Sequence, residues 1–170
     1  MSYDYVTDVY GKECLELAKD CRSHIGFGAV FVKEGKITGR GWNKRSTPAE
    51  RKLLTHVDYA IHAEQACVLD ALRREGFIQK GKISSIAFLE EGEIYVAGVV
   101  LRGPHEGKIT MVERKVFICK KCVSSILIPF NVSVNVPYVR GWASLTPKRA
   151  EKTSAELCGD GYWKRFCHMA

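Results

Sequence analysis

The sequence has no long apolar run, no secretory leader pattern and no internal repeat. No apolar run reaches 18 residues, so the sequence predicts no membrane-spanning helix and no membrane partner. The N-terminal stretch MSYDYVTDVYGKE lacks the basic segment followed by an apolar segment that marks a secretory signal, and we therefore expect a cytoplasmic protein. With 170 residues and no low-complexity segment, the chain is suited to one domain.

The cysteines are not spaced as in a disulfide-bonded framework, and the sequence has no long block of one charge. The seven cysteines are an odd number, and in a cytosolic chain such residues are buried thiols, metal ligands or nucleophiles. Cys14, Cys21 and Cys67 fall on predicted helices, which favours buried thiols. The formal net charge of +7 fits either anionic partners (nucleic acid or phosphorylated small molecules) or solubility alone.

The hydrophobic pattern predicts an α/β protein with helices covering a central mixed sheet. We expect helices at 8–21, 60–75, 122–130 and 147–157, strands at 29–32, 37–41, 83–89, 94–101, 108–118 and 131–139, and a polar loop at 44–58. The stretch RGPHEG predicts a turn that joins two of these strands as a hairpin. The strand, helix and strand over 115–139 predict a βαβ crossover, hence parallel neighbours.

A C-x-x-C motif stands where a predicted strand meets a predicted helix. Spacing of three places the sulfurs of Cys119 and Cys122 on one side of the first helical turn, whose free N–H groups stabilise thiolates. Alone, this motif also suits a redox pair or half of a structural zinc site.

His62 and Glu64 stand near the start of another predicted helix. One imidazole and two thiolates form a good zinc set, and three protein ligands leave a fourth position for water, whose pKa the metal lowers to about 7. Glu64 can stand beside the metal without binding it and can transfer protons. A lone histidine or glutamate in such a helix is usually only hydrogen-bonded or solvated. The combination of H-A-E with a later C-x-x-C predicts a shared zinc site of His62, Cys119 and Cys122.

These motifs resemble those of the zinc-dependent cytidine and deoxycytidylate deaminases, whose H-x-E and P-C-x-x-C motifs match HAEQA and CKKC here. The resemblance covers about residues 8–139 and includes GAVFV and GWN. It implies a three-layer α-β-α sandwich with a mixed sheet of about five strands, zinc on the three ligands named above, and Glu64 as the proton shuttle. It also implies that Asn43 contacts the substrate sugar and that the backbone N–H of Ala63 recognises the base.

Two features depart from the family pattern. Ile118 replaces the proline that usually precedes the first cysteine, and Cys119 follows His62 by 57 residues, which is longer than usual. We expect a single deaminase domain over 1–170 with its core at 8–139. An extra hairpin over about 83–113 and a C-terminal helical tail over about 146–170 would be added to that core. The family resemblance also implies a homo-oligomer.

The predicted reaction is hydrolytic deamination of a cytosine nucleotide or nucleoside, of deoxycytidylate type, to a uracil product and ammonia. Basic residues beside Asn43 could meet a phosphate or simply be solvated; they are Lys44, Arg45, Arg51 and Lys52. The same two readings apply to Lys120 and Lys121.

Two alternatives stay open. A tRNA or polynucleotide deaminase, of adenosine or cytosine, would use the aromatic residues of the basic tail to stack bases; these are Trp142, Tyr162, Trp163 and Phe166. They also suit docking of a terminal helix. A zinc-stabilised binding protein without turnover is the other alternative, which the missing proline and the long connection motivate.

Overall fold

The computed structural model describes residues 8–112, 118–138, 141–154 and 167–169. The helices are α1 (Val9–Ala18), α2 (Pro48–Leu53), α3 (Ala63–Arg74) and α5 (Pro147–Thr153), with α4 spanning 120–130 between the last two. Helix α4 consists of an α-helical turn at Lys120–Cys122, a π-helical turn at Val123–Leu127 and an α-helical turn at Ile128–Phe130. The strands are β1 (Ile25–Lys33), β2 (Lys36–Trp42), β3 (Lys44–Arg45), β4 (Ala60–Ile61), β5 (Ile78–Gln79), β6 (Lys82–Ile83), β7 (Glu93–Val100), β8 (Ile109–Val112), β9 (Ser133–Tyr138), β10 (Gly141–Leu145) and β11 (Cys167–Met169).

The central sheet is mixed. Its strand order is β10-β9-β8-β7-β1-β2, and β11 pairs with β8. β1 is antiparallel to β2 and β7. β8 precedes α4 and β9 follows it, and these two strands are parallel neighbours with Val112 opposite Tyr138, which confirms the predicted crossover. β9 also runs parallel to β7. The described residues form a mixed sheet of β1, β2, β7, β8 and β9, as predicted, to which β10 and β11 are added.

Helices cover both faces of the sheet, which confirms the three-layer α-β-α class. Alternation along β1 sends Val30 toward α1, where it packs with Cys14, and Phe31 toward the larger core under α3 and α4. That larger core also contains Leu69 and Ile126. In the part of the chain described, no helix is both long and apolar enough to cross a bilayer.

Glycines let both covering helices approach the β1–β2 hairpin very closely. A Cβ atom at Gly28 would lie 1.9 Å from the carbonyl oxygen of Cys14 in α1. On the opposite face, a Cβ at Gly41 would lie 2.4 Å from the backbone nitrogen of Cys67 in α3. Any side chain at either position would displace its helix. Helix α3 is therefore held in a fixed position over the hairpin.

The segment predicted as a loop at 44–58 contains a short strand, β3, and a helix, α2, so the loop prediction was wrong for both. Thr47 caps α2: its hydroxyl accepts the N–H of Glu50 at 3.2 Å, and the Glu50 carboxylate accepts the N–H of Thr47 at 2.9 Å. Pro48 occupies the first turn. This reciprocal pair stabilises a helical turn within a polar and basic stretch.

The predicted strand at 83–89 was also wrong in most of its length. Only Ile83 belongs to a strand, β6, and Ala87–Leu89 form a 3₁₀ turn. Leu89 is buried in the larger core, and Phe88 packs against that core with its ring 6.1 Å from that of Phe31, whereas Ile86 is exposed.

The remaining predictions agree more closely with the structure. β7 and β8 pair as an antiparallel hairpin, with Gly98 opposite Thr110. The second predicted strand extends to residue 118, but its residues 113–117 lie outside the described part of the chain. All of β7 also pairs with β1 inside the sheet. The predicted tail helix begins at Pro147, where Thr146 accepts the N–H of Arg149 at 3.3 Å, and ends at Thr153. The tail predicted as helical to 170 also contains a strand, β11, because Cys167–Met169 pair with β8.

Candidate metal centre and active site

His62 lies at the boundary between β4 and α3. Pairing of β4 with β3 places Ile61 opposite Lys44 and holds the chain extended until the helix begins. His62 is the N-cap residue of α3, with φ −77° and ψ 155°, and it is half-buried. The predicted helix 60–75 therefore starts later, at Ala63, because Ala60 and Ile61 belong to the short ladder. The local fold presents an imidazole at a helix start.

Cys119 and Cys122 occupy the corresponding place at the start of α4. Cys119 is its N-cap residue in extended conformation, and Cys122 ends the first turn. Cys122 is fully buried and Cys119 half-buried. Ile118, which stands where the family has proline, is buried in the larger core.

The structure brings the three predicted ligands together. Their ligand atoms all lie within 4.8 Å of one another, and Nδ1 of His62 is 3.3 Å from Sγ of Cys122. Zinc bonds of about 2.0–2.3 Å at tetrahedral angles separate ligand atoms by about 3.5–3.8 Å. One imidazole and two thiols at this spacing fit zinc. His62, Cys119 and Cys122 would hold the ion.

The neighbours of Cys119 favour its thiolate. Hydrogen bonds to its sulfur from Cys122, and then from His62, hold the pKa of the Cys119 thiol well below its ordinary value, although burial acts in the opposite direction. The thiolate is the form that binds metals. The protein groups around Cys119 therefore favour the anionic sulfur that a metal cation binds.

Glu64 lies in the first turn of α3, two residues after His62, and is half-buried. Burial raises the pKa of its carboxyl group above the ordinary value, while the nearby charge of His62 and a hydrogen bond with Cys122 act in the opposite direction. A carboxyl group whose pKa is raised can hold and release a proton closer to neutral pH. The chemistry of this position suits proton transfer.

Asn43 lies just after β2, and its carboxamide is held in one orientation. Its Oδ1 accepts the N–H of Phe27 at 2.7 Å and the thiol of Cys21 at 2.8 Å, while Nδ2 donates to Ser23 Oγ at 3.0 Å. The oxygen is fully used, and Nδ2 carries two hydrogens. Ser23 accepts one of these two hydrogens.

The first turn of α3 contains Ala63 and a residue that the sequence analysis missed, Gln65. Ala63 is the first helical residue and is buried, so its N–H is among the helix-start donors that the helix itself does not satisfy. Gln65 is fully buried, and its Oε1 accepts the N–H of His62 at 3.0 Å. The signal was present in the sequence, because glutamine three residues after an N-cap is half of a capping box.

The basic loop adjoins the metal centre through the β3–β4 ladder. Arg45 is exposed on β3 opposite Ala60, two residues before His62. Lys44 is also exposed, and its Nζ lies 4.6 Å from the centre of the Trp42 ring. Cationic side chains therefore stand beside the chain that leads into the first ligand.

Other cations near this face have structural partners. The guanidinium of Arg51 donates to both oxygens of Ser46 at 3.0 Å and lies 5.5 Å from the Tyr59 ring. Lys121, between the two cysteines, forms an ion pair with Asp58. These contacts favour a structural role for both residues.

Trp142 packs within the protein. Its ring meets that of Tyr95 edge-on at 5.0 Å, and its indole N–H donates to the Asp8 carboxylate at 2.6 Å. These contacts favour docking over base stacking for Trp142. The other tail aromatics named above lie outside the described residues.

Comparisons with known proteins identify the family. The family model for the cytidine and deoxycytidylate deaminase zinc-binding region matches residues 7–133. No curated protein matches the chain. A solved structure of dCMP deaminase from the cyanophage S-TIM5, in complex with dCMP and dUMP, is similar at 20% identity and a TM-score of 0.31, over 56% of this chain and 67% of that one. Since the matched region covers most of the chain and includes His62, Cys119 and Cys122, the chain belongs to the cytidine and deoxycytidylate deaminase family.

Proposed function

We propose that this protein deaminates a cytosine nucleotide or nucleoside, of deoxycytidylate type, by zinc-dependent hydrolysis. The reaction forms a bond from a water oxygen to the ring carbon that carries the amino group, breaks the bond to that amino group, and releases ammonia. The observation that carries the proposal is the triad of ligand atoms within 4.8 Å of one another, with Glu64 in the adjoining helical turn.

We assign a separate role in the reaction to each group around the metal. Zinc, when bound, polarises water so that it becomes a nucleophile at neutral pH. Glu64 takes one proton from the attacking water and delivers it to the ring nitrogen; it then takes the second proton from the hydroxyl added to the ring carbon and delivers it to the departing amine, so that the carbonyl of the product forms. The N–H of Ala63 donates to the base, and Nδ2 of Asn43 donates to the sugar. The two donors together orient the ring carbon over the centre.

A phosphate on the substrate is supported by the charge beside the centre. Arg45 is exposed on the strand that pairs with the residues leading into His62. A guanidinium offers a phosphate two parallel hydrogen bonds. Within the described part of the chain, Arg45 forms no side-chain hydrogen bond or ion pair, whereas the guanidinium of Arg51 donates to Ser46. We therefore assign the phosphate to Arg45.

A substrate panel tests the proposal. Ammonia release is measured from dCMP, cytidine, adenosine, guanine and a tRNA anticodon stem, with the zinc-loaded protein and its Glu64→Ala variant. Turnover of dCMP or cytidine that the variant loses supports the proposal. Turnover of the RNA alone would establish the polynucleotide alternative, and inactivity of the parent on every base would establish the non-catalytic one.

The phosphate assignment has its own test. Arg45→Ala should raise KM for dCMP about tenfold, as expected for one lost ionic contact of about 1.4 kcal/mol, and leave KM for cytidine unchanged. Lys52→Ala is the matched control, because Lys52 is exposed in the same loop region on α2. If both variants raised KM for dCMP equally, the preference for a phosphate would reflect the positive charge of the whole loop rather than a contact with Arg45.

One observation keeps the polynucleotide alternative as a second candidate. Tyr59 is 78% exposed, three residues before His62, and the Arg51 guanidinium lies beside its ring. An exposed aromatic ring with an adjoining cation is a feature of surfaces that stack unpaired bases. Binding of RNA that weakens steeply as salt rises, and that Tyr59→Ala abolishes, would support this function.

A further inference from the structure

Gln65 is a fully buried polar side chain between the two helix starts that carry the zinc ligands. Its Oε1 accepts the backbone N–H of His62 at 3.0 Å. Its Nε2 donates to Ser125 Oγ at 3.0 Å and to the carbonyl oxygen of His56 at 3.4 Å. A buried amide without partners would be costly, and this one engages both of its polar atoms.

The three contacts connect separate parts of the site. His62 precedes α3, and Ser125 lies three residues after Cys122, within the π-helical turn of α4. Ser125 is itself buried. The amide of Gln65 therefore spans from the residue that offers the imidazole to the helix that offers the thiols.

We propose that Gln65 is a positioning residue that sets the separation of His62 from Cys122 and thereby the affinity of the site for zinc. The inference rests on the zinc site of the proposed function, and it concerns metal binding rather than substrate. Three ligands bind an ion well only when they are already at the required separation, because otherwise binding must also move two helices. Groups that orient ligands from outside the coordination sphere typically change metal affinity 10–100-fold.

Gln65→Met tests this inference, because methionine has nearly the same length and volume but cannot form the bridge. Zinc affinity is measured by competition with a chromogenic chelator, without substrate. We expect affinity to fall about tenfold or more, with kcat at saturating zinc falling much less. A zinc affinity equal to that of the parent would overturn the inference.

Asn135→Leu is the matched control. Asn135 is buried on β9, its Nδ2 donates to the carbonyl oxygen of Ile94 at 3.4 Å, and its Oδ1 accepts from the Ser144 hydroxyl. Its loss should lower the midpoint of thermal unfolding of the zinc-free protein, as Gln65→Met also should, without changing zinc affinity. If both variants weakened zinc binding equally, Gln65 would be only a stabilising residue.

Ser125→Ala covers the case in which Gln65→Met does not fold. It removes only one of the three contacts, and we expect a several-fold loss of zinc affinity; an unchanged affinity would overturn the inference. Failure of the proposed function is separately visible: if the parent binds zinc tightly, Gln65→Met weakens that binding, and the parent still releases no ammonia, only the proposed activity is refuted.

Discussion

Two pairs of cysteines in this protein have opposite chemistry. Cys14 and Cys67 are fully buried in the middle of α1 and α3, and burial raises the pKa of both thiols far above the ordinary value. Cys119 and Cys122 lie at the start of α4, where the partners of Cys119 lower the pKa of its thiol. Residue type is the same in the two pairs. The position within a helix, and what stands beside the sulfur, decides between a core residue and a metal ligand.

The two pairs of cysteines should differ most in zinc binding when one cysteine of each pair is replaced by alanine. Cys122→Ala should abolish zinc binding and reduce deamination to the background rate, because two protein ligands cannot hold the ion in the required geometry. Zinc content by elemental analysis and ammonia release from dCMP measure this. Cys67→Ala is the control and should retain a full equivalent of zinc. Stoichiometric zinc in Cys122→Ala would contradict the assignment of the ligands.

The same contrast applies to the carboxylates of α3. Glu64→Gln should lower kcat about 10²–10⁴-fold, because the glutamine amide cannot transfer the proton, and zinc content should not change. Asp70 supplies the control: its carboxylate accepts the N–H of Arg40 at 2.9 Å and pairs with Arg74, so it is structural. Asp70→Asn should leave kcat within a few fold. A similar loss in both variants would remove the special role of Glu64.

Thiol labelling in the metal-free protein compares the cysteines directly. A lowered pKa leaves Cys119 as thiolate at a pH where an ordinary thiol is protonated, whereas a raised pKa keeps Cys14 protonated. At pH 6–7 we expect iodoacetamide to label Cys119 about 100-fold faster than Cys14 or Cys67. Peptide mass spectrometry after timed quenching measures this. Equal rates in the folded protein would show that the two pairs share one environment.

The sequence was sufficient to predict the cluster of His62, Cys119 and Cys122, because each half of the cluster is a local sequence motif. H-A-E and C-x-x-C both stand at helix starts, and the fold needs only to bring the two starts together. For Gln65, the capping contact with His62 was readable from local spacing and was overlooked, whereas its contact with Ser125, 60 residues away, is one that spacing cannot reveal. Helix α2 was missed because its polar composition concealed a capping box. The roles of the catalytic and substrate-contacting residues, the oligomeric state and the location in the cell stay predictions.

The smallest expected effect belongs to the buried pair. Cys67 donates a weak hydrogen bond from its thiol to the carbonyl oxygen of Glu64 at 3.1 Å and is surrounded by the core. Cys67→Ala should lower the free energy of unfolding by about 1 kcal/mol, through the small cavity and the lost thiol contact. Urea unfolding of the zinc-loaded protein measures it. That thiol contacts the backbone of Glu64, so kcat provides a second measurement. If kcat fell well beyond the loss of folded protein, Cys67 would also support the position of Glu64. The two pairs of cysteines would then differ only in how strongly they contribute to the site.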